Sequence, residues 1–389
     1  GSRLLDPQAS QTKLRAMAGV AFLLFAALPT LWAVDSLESF EQWANEYGKH
    51  YETEAARKLA EAAFLANEAV IASLHNAEGG NAEYGHTRFG DMSPAAFRNA
   101  RLPQAMDAAE GLRGGAPPEL RALPGPPPAA VDWRVEGAVT PVKDQASCGS
   151  CWAESAVSNI ESAWYLAHKA SMSAAVALSV EQVIECDAHD YACYGGYPKG
   201  AYQYTIEHGG LATDADYPYK VNGRTICLAN QTYNATCGDG MCDDPPLTQS
   251  CDVRCSDAAH KSVASISSWV ALPSNEEQIA SYLAAHGPVS VGIDASGGAL
   301  GVLFPWLQFY KHGIASPGRC TSTIDHGVLL VGYGEESGKQ YWIVKNSWGT
   351  KWGEAGYFRL IRGLAKCGIA TMATSAVVSS SSFQEAVLV

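Results

Sequence analysis

The sequence predicts an α+β fold in two lobes, one helical and one built on a sheet, preceded by a separate helical segment. Three observations predict it. Apolar residues recur at helical spacing through residues 36–76 and again from Cys151 to Ala170. From Gly287 onward the apolar runs become short, β-branched and aromatic, with glycine between them, as strands do ("GPVSVGID", "HGVLLVGYG", "KQYWIVKNSW", "GYFRLIR"). "GLRGGAPPELRALPGPPPAA" (Gly111–Ala130) separates the first helical region from the rest, and its Pro/Gly content reads as a linker without regular structure. Helices first and strands later make an α+β chain rather than an alternating one.

Bulk properties bound the function. The 389 residues leave room for two ordinary domains, or one large domain with appendages. A hydrophobic content of 47% fills a core. A net charge of -13 argues against nucleic acid or an anionic membrane surface as partner. There are 11 cysteines, so one stays single if the others pair.

Taken in order, "MAGVAFLLFAALPTLWA" (Met17–Ala33) follows Lys13 and Arg15 and reads as a secretory signal, with a membrane anchor as the competing reading. Leu31 makes a poor cleavage site. Residues 1–34 are assigned to this region, and those before Met17 are set aside from fold reasoning. In residues 35–110, Phe40, Trp43, Tyr47, Leu59, Phe64, Val70, Ile71 and Leu74 mark the helical stretch. "AEYGHTRFGDMSPAAFRN" then reads as a short strand and a helix begun by Ser93-Pro94. Residues 111–130 form the linker, where proteases cut most readily. The main domain spans 131–389. "CWAESAVSNIESAWYLAHKA" reads as a long helix with Ala156, Ile160, Ala163, Trp164 and Ala167 on one face, and "SVEQVIECD" as a second, short helix.

The chemistry centres on "VKDQASCGSCWAES" (Val142–Ser155). A redox Cys-x-x-Cys belongs near a βαβ unit, and none surrounds this one. A zinc pair needs a second pair at ligand spacing. Cys186 and Cys193 do not supply it, though the 237–255 cluster is loosely compatible. The third reading makes Cys151 a nucleophile. It opens a helix, whose dipole favours the thiolate. Such a thiolate needs a histidine, and a third group to orient that histidine. His326 in "DHGVLLVGYG" and Asn346 in "VKNSWGTKWGEAGY" supply them.

With these strings the chain resembles the papain-like cysteine peptidases, the family of cathepsins L and F and the plant vacuolar proteases. The Cys-Gly-Ser-Cys-Trp signature belongs to it, with His and Asn about 130–150 residues downstream. Here they lie 175 and 195 residues on, so the chain carries insertions. The resemblance implies a two-lobed papain-like fold, a helical lobe facing a β-barrel-like sheet lobe, and acyl transfer through a thioester with no metal or organic cofactor. It implies Cys151 as nucleophile, His326 as acid–base partner and Asn346 as its orienter. Gln145 becomes the oxyanion donor, and Trp348 the cover over the His–Asn bond. The implied cleft is lined by Gly149, Gly195, Gly196, Tyr197, Pro198, Gly292, Asp325, Gly327, Trp348 and Met372. Of these, Tyr197, Pro198, Gly292, Gly327 and Met372 would shape a roomy apolar pocket for the second residue before the cut.

The family pattern pairs Cys148 with Cys193, Cys186 with Cys227 and Cys320 with Cys367. Cys237, Cys242, Cys251 and Cys255 then remain as two further bridges, and Cys151 stays free. Five disulfides imply an oxidising compartment: secretion, or a lysosome or vacuole.

Residues 35–110 resemble the family's inhibitory propeptide through Phe64, Asn67 and Ile71, with Arg57 out of register, and through Gly85, Phe89 and Asp91, with Thr87 in place of the usual Asn. Implied partners are protein and peptide substrates, the chain's own propeptide, and cystatin-like inhibitors. The protein is expected to be a monomer.

Two features depart from the pattern. Glu154 stands where the family usually has an aromatic residue. An Asp-rich insert (228–260) carries glycosylation sequons at Asn230 and Asn234. It offers no adjacent histidines to capture a substrate's C-terminal carboxylate, so an endopeptidase is expected. Three alternatives stay open at this point: a catalytically weak binding protein, an exopeptidase with the insert limiting the cleft, and a zinc-binding insert.

Overall fold

The computed structural model describes residues 40–103, 106–116, 127–220, 255, 260–297 and 304–379. The Met17–Ala33 run, the middle of the linker, both sequons and most of the insert lie outside them. No helix among the described residues is long and apolar enough to cross a membrane.

The helix Cys151–Ala167 is the centre of the molecule. Every residue from Cys151 to Ser162 is buried, whereas Ala163 and Trp164 are half-buried and Ala167 is exposed. The expected single apolar face is therefore a property of the helix end only. The rest is clamped on two sides. Helices Val180–Cys186 and Pro198–Glu207 pack on one flank, and strands Val289–Ile293, His326–Glu336 and Ala373–Val377 on the other. Its Ala and Ser residues keep the side chains short enough for both neighbours to approach.

The sheet runs in the order Ser268–Ala271, Ala373–Val377, Val289–Ile293, His326–Glu336, Lys339–Lys345, Tyr357–Ile361, Ile314–Ala315, with Val131–Asp132 beside His326–Glu336. Neighbours are antiparallel, except that Ile314–Ala315 pairs parallel with Tyr357–Ile361. The hairpin register sets Leu329 opposite Lys345. It thereby brings the start of one strand, His326, level with Asn346 just past the end of the next. One core fills the sheet lobe (Val291, Val328, Leu330, Trp342, Trp352, Phe358) and another the helical lobe (Trp152, Val157, Ile160, Ile184, Tyr202, Leu211).

The helical stretch expected before residue 77 folds as two helices, 40–46 and Glu54–Ala77. Phe40, Trp43 and Phe64 pack between them. Arg57, out of register by sequence, ion-pairs with Glu41 and with Glu61. Asn67 Nδ2 donates to the carbonyls of Gly90 and Met92 (2.8 and 2.9 Å), tying the long helix to the turn that follows the short strand Glu83–Tyr84. That strand, Glu83–Tyr84, pairs with Tyr310–His312 of the sheet lobe. Thr87 Oγ1 donates to the Gln308 carbonyl at 2.6 Å, and Gln308 Nε2 donates back to Phe89 and Met92 carbonyls. Ser93 caps the helix Pro94–Arg101, as expected. The linker's first residues are docked rather than free: Gly111 and Leu112 end the helix Ala108–Leu112, and Ala116 bridges to Val270.

Disulfides join Cys148 to Cys193 and Cys320 to Cys367, as the family pattern implied. The third corrects an expectation: Cys186 is bonded to Cys255, not to Cys227. The returning end of the insert is held there by other contacts. His260 stacks on Tyr217 at 4.3 Å, and the Tyr217 hydroxyl donates to Glu185, the neighbour of Cys186. The bridge also takes one of the four cysteines from the zinc reading. Cys227, Cys237, Cys242 and Cys251 lie outside the described residues.

Candidate active site

Gln145, Cys151, His326, Asn346 and Trp348 converge where the lobes meet. Asn346 Oδ1 accepts the Ser347 backbone N–H at 2.8 Å, which fixes the orientation of the amide. His326 Nε2 lies 2.8 Å from the same oxygen and must therefore be the donor. The proton is thus placed on Nε2, and Nδ1, buried and without a hydrogen-bond partner, keeps its lone pair. Trp348 stacks on the imidazole with centroids 4.7 Å apart. It shields the Asn–His bond from water. The Cys151 thiol meets the backbone N–H groups of Gly327 and Trp152. A Cβ at Gly327 would lie 2.8 Å from the Cys151 carbonyl oxygen. Glycine there lets the histidine strand approach the helix; it does not widen a pocket.

Gln145 is fully engaged. Its Oε1 accepts from Ser347 Oγ (2.6 Å) and Trp348 Nε1 (3.0 Å). Its Nε2 donates to the carbonyls of Cys148 (2.7 Å) and Arg101 (2.8 Å). Arg101 belongs to the N-terminal segment. A backbone carbonyl of that segment therefore occupies the Gln145 side-chain amide.

The same segment continues along the cleft. Met106 N–H donates to the Ile324 carbonyl at 2.6 Å, and Met106 packs with Ile324 and Met372. Ala108, Leu112 and Tyr197 close around them. Ile324 was not foreseen from sequence; its only signal was its place two residues before His326. Gly292 does border this pocket, since a Cβ there would meet Ile324 Cγ2 at 2.5 Å and Met372 Cε at 2.7 Å. Pro198 opens its helix, and Tyr197 Oη accepts the Asp107 N–H. Gly149 N–H bonds the Cys193 carbonyl beside the Cys148–Cys193 bridge. Gly195 takes φ 123°, a left-handed conformation suited to glycine, and Gly196 passes against Trp152 and Asp190. Asp325 is placed otherwise than expected. It is buried, and its carboxylate accepts the N–H groups of Ala295 (2.7 Å) and Ser296 (3.3 Å), so it braces a loop.

Burial governs the charges. It pushes the Cys151 thiol up to about 12, aided by the charges of Asp325 and Glu154 and opposed by the two backbone N–H groups. It pushes His326 down to about 4, against the pull of Asn346. Covered by the N-terminal segment, both groups are thus biased by burial toward their neutral forms.

Fold and site define a two-lobed, thiol-centred hydrolase held in a covered state. Residues 127–377 match the family model "Papain family cysteine protease", and residues 40–97 match "Cathepsin propeptide inhibitor domain (I29)". The chain belongs to the papain family of cysteine proteases and carries that family's propeptide inhibitor domain. It is 36% identical to cathepsin F of Mus musculus over 363 residues, covering 90% of this chain and 67% of that protein. It is 34% identical to cysteine proteinase 15A of Pisum sativum, covering 88% and 86%. Among solved structures, digestive procathepsin L 3 of Tenebrio molitor aligns with TM-score 0.67 and 29% identity, covering 88% of this chain and 99% of that one. The proform of the ragweed allergen Amb a 11 aligns with TM-score 0.70 and 29% identity, covering 88% and 95%.

Proposed function

We propose that Cys151 is the nucleophile, His326 the acid–base group, Asn346 its orienter and Gln145 the oxyanion donor of an endopeptidase made as a zymogen. What carries the reading is the Gln145 Nε2 bond to the Arg101 carbonyl, which places a peptide oxygen on the donor beside the thiol. Once the segment leaves, Cys151 gives its proton to Nδ1 of His326, and the thiolate adds to the scissile carbonyl. The oxyanion is held by Gln145 Nε2, a neutral donor worth about 3 kcal/mol to the transition state. The imidazolium returns the proton to the departing amine, leaving a thioester. Water, deprotonated by His326, then adds to the thioester, and the carboxylic acid leaves as the thiol re-forms.

Disulfides at Cys148–Cys193, Cys186–Cys255 and Cys320–Cys367 support residence in the secretory pathway, in a lysosome or vacuole or outside the cell. A monomer open to cystatin-like inhibitors fits the single cleft.

The endopeptidase reading is checked by mass spectrometry of a long peptide digested by the processed chain. Internal fragments are expected. A ladder losing two residues at a time from the C-terminus would overturn it.

Specificity follows from the Met106 pocket. Ile324, Met372 and Tyr197 line it, and Met is an adaptable wall. At its floor stands Met372, an apolar side chain with no charge to meet an arginine. Leu, Phe or Tyr is expected as the second residue before the cut, and a peptide-library profile dominated by Arg there would refute it.

A further inference from the structure

Behind Asn346 lies a pocket of about 10 Å³, room for about one water, lined by Lys143, Glu154, Ser158, Gly327, Lys345 and Asn346 among others. No residue of the N-terminal segment lines it. It holds the one departure from the family pattern within the nucleophile's own helix, Glu154, 3% exposed. We propose that Glu154 is a positioning residue that tunes the nucleophile: its carboxylate opposes the Cys151 thiolate, and taking up a proton lifts that opposition, so the enzyme is acid-activated at its chemical step. This rests on Cys151 being the nucleophile.

The geometry gives the charge count. Lys143 Nζ donates to Glu161 Oε1 and to the Leu178 carbonyl, both at 2.7 Å. The Thr140 hydroxyl donates to the other Glu161 oxygen, and Lys345 Nζ reaches Thr140 Oγ1 at 2.9 Å. Lys143 and Glu161 thus satisfy each other. Lys345 has no ion pair within 4 Å among the described residues; burial pushes it down to about 8, against the pull of Glu161 and Glu154. Lys143 and Lys345 thus face Glu154, Glu161 and Asp214. Protonating Glu154 makes this cluster one charge more positive behind the active pair, which favours a thiolate.

The groups facing Glu154 are Lys143 from the preceding loop, Lys345 from the hairpin strand, Glu161 and Cys151 from its own helix, and Asp214 and Tyr219 from the segment after Pro198–Glu207. Burial pushes Glu154 up to about 7 against the pull of the two lysines, so it titrates in the neutral range. The direction follows: as pH rises, Glu154 loses its proton, negative charge appears beside Cys151, and the thiol becomes harder to ionise.

The test is the pH dependence of Cys151 alkylation by iodoacetamide, located by mass spectrometry, in the full chain after processing at acidic pH. Wild type is compared with Glu154→Gln and with the apolar Glu154→Met. Near pH 8 both variants should react roughly 3- to 10-fold faster than wild type, because the negative charge beside the thiol is gone. Near pH 5, where Glu154 is already protonated, the ratio for Glu154→Gln should approach one. A ratio that does not change with pH, or slower variants at pH 8, overturns the proposal, because a packing effect would not follow a titration. The wild-type profile is a test that needs no variant to fold: alkylation that keeps a flat plateau from about pH 5 to pH 8 overturns it too. Absence of Cys151 alkylation at any pH would instead reject Cys151 as nucleophile, and the proposal with it.

Discussion

Cys151→Ser and His326→Ala are each expected to lower kcat by roughly 10⁴-fold or more, because members of a nucleophile–base unit act together and losing either removes most of the unit's contribution. A serine hydroxyl in place of the thiol is far harder to deprotonate, and the imidazole that would do it is held to Asn346 at 2.8 Å as a neutral base. Alanine at 326 leaves the thiol buried with no proton acceptor. Cys148→Ser makes the contrast, although it changes the cysteine three positions earlier. Cys148 is 2% exposed and bonded to Cys193, so its loss should cost about 2–5 kcal/mol of stability and leave kcat per folded molecule close to normal. Steady-state kinetics beside thermal unfolding separates the two. Equal loss of kcat from Cys148→Ser in well-folded protein would mean that the cysteines have been assigned the wrong way round.

The uncut chain is expected to be nearly inactive at neutral pH, and peptidase activity to appear when the 111–130 linker is cut at acidic pH. Four contacts cover the cleft itself. Phe89 and Phe97 stand edge-on to Trp348, with centroids 5.6 and 5.2 Å away. Arg101 occupies Gln145, and Met106 fills the apolar pocket. Phe97 is fully buried, so Phe97→Ala should cost about 3–5 kcal/mol of docking, enough for the uncut precursor to leak roughly 10²- to 10³-fold more activity. Acid acts in the same direction by two routes. Lys199 holds Glu110 below the usual carboxylate range while the segment is docked. That contribution is present above the pKa of the undocked carboxyl and fades as pH falls through the docked value; being exposed, it is small. His326, held at about 4 under the cover, takes up a proton more readily once uncovered. Between that value and the ordinary histidine range near 6.5, protonation therefore favours the open state. N-terminal sequencing with a peptide-cleavage assay before and after acidification checks both. Full activity of an uncut precursor at neutral pH would reject the zymogen reading.

Much of the architecture was legible because it is written locally. Period-3.6 runs, Ser93 before Pro94, and short β-branched segments between glycines gave helices and strands close to those found. The nucleophile's helix was placed correctly, but its burial was not. An apolar stripe reports one packing partner, and Cys151–Ser162 has partners on both sides. The partner of Arg57 was hidden for a similar reason. Spacing along one helix could not reveal Glu41, which a second helix brings to it.

By itself the sequence determined the chemistry available to this chain: a cysteine opening a helix, a histidine opening a strand, an asparagine after the next strand, and a propeptide domain followed by a Pro/Gly-rich stretch. Those are matters of residue type and local order. Only the tertiary structure decided which groups those residues meet. It chose Cys255 over Cys227 for Cys186, since a disulfide forms between thiols the fold brings together, whatever their spacing. It set the Arg101 carbonyl on Gln145. It surrounded Glu154 with Lys143 and Lys345, from a loop and a strand far apart in the chain. A charge buried at low dielectric takes its proton affinity from such neighbours, and only folding supplies them.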